Sequence, residues 1–374
     1  MASTLTGSLM KRGMEVATYA RNGGEADGGE KQYELPLWGL FMLGATMMVA
    51  FIGMSMVEYT FGRIIPTLVM IESPPETISF EPVPTEDSDA PKKNPELEAE
   101  TVKPKPITSS FRTTLQVLDS KGGFRARFRG VWVFFVSQIA FNFIVHTLLS
   151  LSSVFRFVGP IIASVALAQL SLAWTLIVIS EPSPKTWFRR LPAKSTWKKV
   201  AIPTAVLAIT QQLALQLPFF LAVGLGLTEH DPRQLANVGS RKTGMMLLSC
   251  LAVFASGLLV AFFLVIPANV TLVRVQASLL SDAEETIVPF DRSFNGKVIP
   301  EIVGGTGVIG MLDAWKTFDW SARVRLLKAY VKVLFLQIAL YAVLILAIFA
   351  QLFIIMGRDI QRLAPPEGGH PALI

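Results

Sequence analysis

Polar side chains inside long apolar segments are the residues of this sequence whose types and spacing could bind a small molecule. Three of these segments carry a glutamine followed four positions later by another polar or amphipathic side chain, and in the first a histidine extends the series. The residues are Gln138, Asn142 and His146, then Gln212 and Gln216, then Gln337 and Tyr341. Because positions i and i+4 share one helix face, each segment would present stacked polar groups to one side. The pattern predicts either the lining of a central cavity or hydrogen bonds between helices.

A cavity with this lining would contain amides, a phenol and an imidazole, but no fixed Lys, Arg, Asp or Glu side chain. A nucleotide or a tricarboxylate would find no counter-charge there, and burying an unpaired charge is costly. The lining therefore favours a neutral, zwitterionic or lipid-like solute.

The sequence contains no arrangement of residues that would form a nucleophilic, metal-binding or dinucleotide-binding site. The single cysteine, Cys250, lies inside an apolar segment, which excludes an intramolecular disulfide and favours a buried thiol over a nucleophile. His230 and His370 have no partners at metal-ligand spacing. The glycines at 305, 307 and 310 spell a dinucleotide fingerprint but lack the preceding strand that gives such glycines their role. We expect no enzymatic activity, no metal and no cofactor.

The elements that must position the polar residues are membrane helices. The chain is 51% apolar and 17% charged with a mean hydropathy of +0.48, whereas soluble domains carry about 25% charge. A bilayer core about 30 Å thick requires roughly 20 apolar residues of helix. Six segments meet this length: 37–57, 131–154, 157–180, 200–227, 245–273 and 333–356. The sequence predicts an all-α integral membrane protein with six transmembrane helices.

Most of the 34 basic residues fall in the loops after the first, third and fifth apolar segments. Such loops stay on the non-translocated side of a membrane, here called the basic face, and both termini then share the opposite face. An even number of spans requires this arrangement of the ends. Basic loops also suit anionic lipid headgroups, so the charge predicts a membrane-lipid partner and no nucleic acid.

The chain divides into five parts by composition. A polar segment, 1–36, precedes the first transmembrane helix within 37–71; a Pro-rich acidic linker, 72–106, follows; the remaining membrane domain covers 107–357 and a tail covers 358–374. The linker cannot bury a core, so we expect it to be disordered. It is either a docking site for a protein partner or a plain spacer.

Amphipathic surface helices are predicted in the basic loops. Ile107–Leu118 has helical apolar spacing and is followed by Gly122-Gly123 and three arginines, and related Trp- and Arg-containing blocks precede the fourth and sixth apolar segments. Together with the matched glutamines, this recurrence predicts three repeats, each a helix pair with a surface helix in the odd loop between its two members.

The end of the fifth apolar segment reads Pro267-Ala-Asn269-Val-Thr-Leu-Val-Arg274-Val-Gln276. With the three helix pairs, it resembles the odd-helix signature of the mitochondrial solute carrier family, with Asn269 in place of the signature acid and Leu272 in place of its base. Glu58 and Arg63 repeat the separation of Asn269 and Arg274, with Met56 where the proline would stand. The pattern is also similar to fungal multi-spanning proteins labelled "ubiquitin carrier protein", although the chain has no thiol suited to ubiquitin conjugation.

The resemblance implies a transport cavity closed on one side by an inter-helix network of charged residues, and a mitochondrial membrane, with the endoplasmic reticulum or another endomembrane as the alternative. Glu58 and Arg63 are then either a remnant of this gate or an interfacial pair. Arg274 either pairs with an acid from another repeat or, as we expect, anchors to phosphate headgroups. The favoured function is a divergent carrier-type transporter; the alternative is a non-transporting adaptor or receptor that binds partners through its linker and surface helices.

Overall fold

A computed structural model describes residues 37–73, 105–184, 186–227, 240–299 and 303–363. Within these ranges the chain is helical, and its extended pairing is an isolated antiparallel bridge between Ser180 and Thr286. The predictions for segment 1–36, for most of the linker, for His230 and His370 and for most of the tail lie outside the described residues.

Eleven α-helices make up the described ranges. They are α1 Leu37–Val57, α2 Ile65–Ile71, α3 Phe111–Gly122, α4 Val131–Leu151, α5 Phe155–Ala166, α6 Ala168–Ile179, α7 Trp197–Gly224, α8 Ser240–Val260, α9 Ile266–Ala277, α10 Met311–Lys316 and α11 Trp320–Leu363. Five continuous helical segments among the described residues are long and apolar enough to cross a membrane, or six if the bent pair α5–α6 is one span. The protein is therefore an all-α, multi-pass membrane protein.

The third apolar segment is not the straight helix that the sequence predicts. It consists of α5 and α6, which meet at 55° around Leu167. Leu167 leaves the helical region with φ −94° and ψ 10°, and this breaks the hydrogen-bond ladder. The carbonyl of Val165 beside the break accepts the indole N–H of Trp197 at 2.8 Å.

Two membrane helices contain a π-helical turn directly before an Ile-Pro pair. Glu58–Ile64 joins α1 to α2, where Pro66 occupies the first turn, and Ala261–Val265 joins α8 to α9, where Pro267 does so. Proline lacks an N–H and clashes with the carbonyl four residues earlier, which the wider turn relieves. Pro66 and Pro267 therefore hold the same place relative to a π-helical turn, whereas the sequence comparison sets Met56 against Pro267.

The described chain separates into two compact units. One comprises 57–212 and 262–334 and contains nearly all of the buried residues, including α2, α3, α6, α9 and α10. The other comprises the described parts of 1–56, 213–261 and 335–374, and most of its large apolar side chains are exposed. Inside this second unit, Gly39 lets Ile355 pack on the α1 backbone, and the amide of Gln351 donates to the hydroxyl of Thr46.

A helix forms where the sequence predicts the first surface helix, but α3 begins at Phe111, after a 3-10 turn over Ile107–Ser109. Ser110 caps its first turn by accepting the N–H of Thr113, and the helix ends at Gly122. Its apolar side contains Leu118, which is fully buried, and the half-buried Phe111 and Leu115. The Asp119 carboxylate of its last turn accepts from the Arg127 guanidinium. The helix therefore packs on the first unit instead of standing alone.

Candidate functional site

Three segments with one shared sequence pattern meet in the first unit. Residues 67–72, 175–180 and 271–276 each read Thr-Leu, then Val or Ile, any residue, Ile or Val, and a polar residue. They lie in α2, α6 and α9 or directly follow the helix, and these three helices all contact one another. Every side chain in the three segments is buried except that of Leu176, which is half-buried. We call this meeting point the helix junction.

Hydrogen bonds between neutral side chains tie α6 to α9 within the helix junction. The hydroxyl of Thr175 donates to the side-chain oxygen of Gln276 at 2.6 Å, and the Gln276 amide donates to the hydroxyl of Ser171 at 3.1 Å. Both Thr175 and Gln276 are about 1% exposed. Buried amides are costly unless they are hydrogen-bonded, so these bonds fix the alignment of the two helices.

Arg274 is the cation of the helix junction. Its guanidinium donates to the carbonyl of Met70 at 3.0 Å and to the hydroxyl and carbonyl of Thr317 at 2.9 and 3.3 Å. It also lies over the rings of Phe294 and Phe318, at 4.8 and 5.5 Å from their centroids. The side chain is buried, so the expectation that Arg274 anchors to lipid headgroups was wrong. It instead joins α9 to the end of α2 and to the segment after α10.

Glu72 closes the α2 corner of the helix junction. Its carboxylate accepts the backbone N–H groups of Ile107 and Thr108, the former at 2.6 Å, and the hydroxyl of Thr108. Arg325 from α11 lies 3.3 Å away as a buried ion pair. The sequence assigned Glu72 to the exposed linker, but only 3% of the residue is exposed, because the chain on the far side of the linker returns to bind it.

A second layer of polar contacts adjoins the helix junction. The hydroxyl of Tyr59 donates to the carbonyl of Arg129 and accepts the indole N–H of Trp174 at 3.0 Å. The amide of Asn269 donates to the hydroxyl of Tyr330 at 3.2 Å. Asn269 thus makes a neutral contact with α11 where the family signature would place an acid.

A cavity of about 250 Å³ opens beside the helix junction. It is lined by Gly122, Arg125, Ala126, Arg129, Gly130, Ile177, Pro182, Ser183, Trp187 and Arg190. The left-handed conformation of Gly130, φ 70°, lets Trp174 pack directly on its backbone. Three arginines around an apolar floor form a site suited to an anion.

The arginines of this cavity are held in place by the ends of neighbouring helices. Arg129 donates to the carbonyls of Ile177, at 3.0 Å, and Ser180, and its remaining Nη1 is buried without a hydrogen-bond partner among the described residues. Arg190 donates to the hydroxyl of Ser180 at 2.6 Å and pairs with Glu284 at 3.3 Å. The cavity is therefore built by groups that also secure the junction.

Charged groups in the last turn of α3 and in the loop after α9 are stabilised in their ionised forms. The hydrogen bond from Arg127 lowers the pKa of Asp119, and the hydrogen bond to Glu181 raises the pKa of Lys121. Burial opposes ionisation of Asp291, but hydrogen bonds from Ser293 and Asn295 hold the pKa of its carboxyl below the usual range. These groups stay charged at neutral pH and need no proton exchange.

The predicted cavity-lining residues are divided between the two units. Gln138, Asn142 and His146 form the expected stripe on α4 and are exposed, and Gln212 on α7 is half-buried in the same unit. The second unit contains Gln216, Gln337 and Tyr341, of which the first two are half-buried. Asn142 donates to the carbonyl of Gln138 at 2.8 Å. A cavity common to all seven stays a prediction.

The two charged residues of the predicted gate in the first segment lie within the π-helical turn. Arg63 is exposed and stacks on the ring of Phe134 at 4.6 Å, while Glu58 is half-buried. In contrast, Asn269, Arg274 and Gln276 all make contacts between elements of the first unit. Although Glu58–Arg63 and Asn269–Arg274 have the same separation in sequence, the two pairs thus lie in different environments.

The recurring Thr-Leu pattern of the helix junction was missed at the sequence level. Its three copies occur at similar intervals along the chain, and each ends at a polar residue where an apolar segment stops. This end-of-helix signal is present in the sequence alone, at or after the ends of the first, third and fifth apolar segments. The matched glutamines, by contrast, lie in the second, fourth and sixth segments. A Cβ at Gly305 would lie 2.1 Å from the carbonyl oxygen of Ile299, so this glycine packs directly against backbone.

No family model matches the chain, and no curated protein matches it either. Among the described residues, no group of three or more His, Cys, Asp or Glu side chains is placed to hold a metal ion. The resemblance to the mitochondrial solute carrier family therefore stays a prediction, and the helix junction with its adjoining cavity is the site from which a function has to be argued.

Proposed function

We propose that the chain is a divergent carrier-type membrane protein, built of three helix-pair repeats, that moves a small neutral, zwitterionic or lipid-like solute. The observation that carries the proposal is the helix junction, where matched segments from three apolar helices pack against one another at the ends that lead into the basic loops. A protein of this design would be closed at its basic face and would open there when the three ends separate.

The bonds within the helix junction suit a closure that is reversible. Thr175, Gln276 and Ser171 form neutral hydrogen bonds, and such bonds contribute about 1 kcal/mol each. Arg274 binds carbonyl and hydroxyl oxygens, which water can replace when the ends separate. Transport by alternating access needs this kind of exchange at the end of a repeat.

Accessibility of the helix junction tests the proposal without knowledge of the solute. Ala277, at the end of α9, is about 1% exposed. In a Cys250→Ser background, Ala277→Cys is labelled in liposomes with a membrane-impermeant maleimide while a panel of solutes is added. We expect one class of neutral or zwitterionic solutes to change the labelling rate, and Gln138→Leu, Gln212→Leu and Gln337→Leu to remove this response. Ser120→Cys, on the exposed side of α3, is the matched control and should be labelled equally in all conditions.

A junction that is never labelled, together with no solute exchange in the same liposomes, would argue against transport. That outcome would leave the adaptor alternative, in which segment 74–104 recruits a partner. Deleting this segment and comparing the co-purifying proteins decides between them. Cell fractionation tests the proposed mitochondrial membrane against the endoplasmic reticulum.

The arginine-lined cavity carries a second proposal, that an anionic lipid headgroup binds at the basic face. Guanidinium groups form charge-assisted hydrogen bonds with phosphate, and Arg125, Arg129 and Arg190 converge on a cavity with the indole of Trp187 at its edge. Vesicles containing an anionic phospholipid should stabilise the purified protein against heat more than vesicles of a zwitterionic phospholipid, and Arg125→Gln should weaken the effect. Stabilisation by inorganic phosphate alone would indicate a free anion as the ligand.

A further inference from the structure

The chain that leaves the helix junction turns back and crosses the ends of two other helices. After α9 ends at Ala277, residues 284–291 form a non-helical segment that bends at 287–288, here called the strap. Its Glu285 carbonyl accepts the N–H of Glu181, and its Ile287 N–H donates to the carbonyl of Ile179, at 2.8 and 3.0 Å. These two bonds flank the bridge between Ser180 and Thr286 and tie the strap to the end of α6.

The strap continues from the end of α6 to the end of α2. The carbonyl of Pro289 accepts the N–H of Ser73 at 2.9 Å, and the N–H of Asp291 donates to the Ser73 hydroxyl at 2.7 Å. Between the two sets of bonds, Ile287 and Val288 are buried. A single segment therefore joins the ends of all three helices of the helix junction, because it is itself the continuation of α9.

Both ends of the strap are fastened by side chains. Arg292 donates to the carbonyls of Ser281, at 2.7 Å, and Glu284, and the carboxylate of Glu284 pairs with Arg190 at 3.3 Å. Just beyond the strap, Phe294 is 3% exposed and supports the guanidinium of Arg274. The strap is thus linked to the cation inside the junction as well as to its outer ends.

We infer that the strap is a latch that holds the helix junction closed, an inference that rests on the proposed opening of this face. The helix ends cannot separate while hydrogen bonds from one segment span them. Three of the four bonds lie between main-chain groups and the fourth uses the Ser73 hydroxyl, so none depends on the neutral side-chain contacts that align α6 and α9. Release of the strap is a separate step that precedes separation of the ends.

A disulfide across the bridge tests the latch. The flanking bond pattern makes Ser180 and Thr286 a pair without mutual hydrogen bonds, for which the Cα atoms are typically about 4.5 Å apart, within the range that a disulfide spans. Ser180→Cys with Thr286→Cys is combined with Ala277→Cys and Cys250→Ser, and labelling at position 277 is followed by peptide mass spectrometry. The matched controls carry Ala277→Cys and Cys250→Ser with only one of the two changes Ser180→Cys and Thr286→Cys, and they are treated with the same oxidant.

Oxidation should form the disulfide and lower the labelling rate at position 277 by about tenfold or more, because the strap can then no longer release the backbone hydrogen bonds that opening must break. The two controls should not respond to the oxidant. Ser73→Ala, which removes the acceptor of the Asp291 N–H, should raise the rate about fivefold in the reduced protein.

The outcomes separate the latch from the function on which it rests. Equal labelling of the oxidised and reduced pair, with position 277 reachable in both, would overturn the latch and leave the opening junction intact. Failure of the two cysteines to form a disulfide would also overturn it, because the strap would then not lie against α6. A position 277 that stays unlabelled in the reduced protein and in Ser73→Ala would contradict the opening itself.

Discussion

The two units of the molecule use apolar residues in opposite ways. In the unit that contains the helix junction, Ile64, Leu68 and Leu172 are fully buried and polar groups among them are hydrogen-bonded. In the other unit, Phe41 and Phe353 are more than 70% exposed. Lipid tails solvate such side chains as well as a protein interior does, so the second unit needs apolar surface more than it needs complementary packing.

This contrast gives an expectation for substitutions. A change at the helix junction leaves buried polar partners unsatisfied, which costs about 1 to 3 kcal/mol per group and more for a charge. A change on an exposed helix face in the membrane exchanges one lipid-solvated side chain for another. Stability should therefore depend steeply on the first unit and weakly on exposed positions.

The largest effect is expected for Arg274→Met. It leaves the oxygens of Met70 and Thr317 without their donor and removes the cation from between Phe294 and Phe318. We expect a loss of about 3 kcal/mol or more, which corresponds to a fall of roughly 5–10 °C in the thermal midpoint measured in detergent. The thermal midpoint of Arg274→Lys should lie between those of the unmodified protein and Arg274→Met. An unchanged midpoint for Arg274→Met would contradict the role of this residue in the first unit.

The next largest effect is expected for Glu72→Gln. It keeps some hydrogen bonding to Ile107 and Thr108 but leaves Arg325 as a buried unpaired cation, at a cost of about 2–3 kcal/mol. Thermal unfolding of Glu72→Gln, Arg325→Gln and the double variant forms a double-mutant cycle. The double variant should be more stable than the sum of the single losses predicts; strict additivity would show that the pair does not interact. Glu285→Gln, on an exposed side chain, is the matched control.

A smaller effect is expected for Thr175→Val. This change keeps the shape of the side chain and removes one donor to Gln276, so the loss should be about 1 kcal/mol. The thermal midpoint gives the measurement. The double variant with Gln276→Leu should lose less stability than the sum of the two single losses, because both partners are then apolar. A double variant that loses the full sum would mean that the two side chains do not depend on each other.

The smallest effect on stability is expected for Gln138→Leu, although this residue is in the first unit. Its side chain is exposed on α4, and we expect a change within about 0.5 kcal/mol, typical of exposed positions. Any loss of the solute response described above would then come from recognition and not from unfolding. A destabilisation as large as that of Thr175→Val would instead favour a hydrogen bond between helices as the role of Gln138.

Sequence periodicity predicted the helices well and their partners poorly. The bounds of α1 and the end of α3 at Gly122 agree with the structure because local hydropathy and glycine determine them. The bend at Leu167 was not predicted, since nothing in the local sequence marks it. Arg274 was misplaced because a basic residue at the end of a membrane helix has the same local pattern whether it meets headgroups or the carbonyls of another helix. Only the tertiary contact of α9 with α2 decides between these environments.

The carboxylate of Glu72 has a consequence for how the chain tolerates insertion. It binds residues 35 positions further on, so the two described ends that flank residues 74–104 meet at one point, as the two ends of a ring meet at a clasp. The sequence predicts a disordered linker between these ends, and lengthening such a loop costs only about 0.6 kcal/mol per doubling of its length. A fluorescent protein placed between Asp89 and Ala90 should therefore report on the membrane protein in living cells without altering its fold, whereas the same insertion at Thr108 would open the clasp.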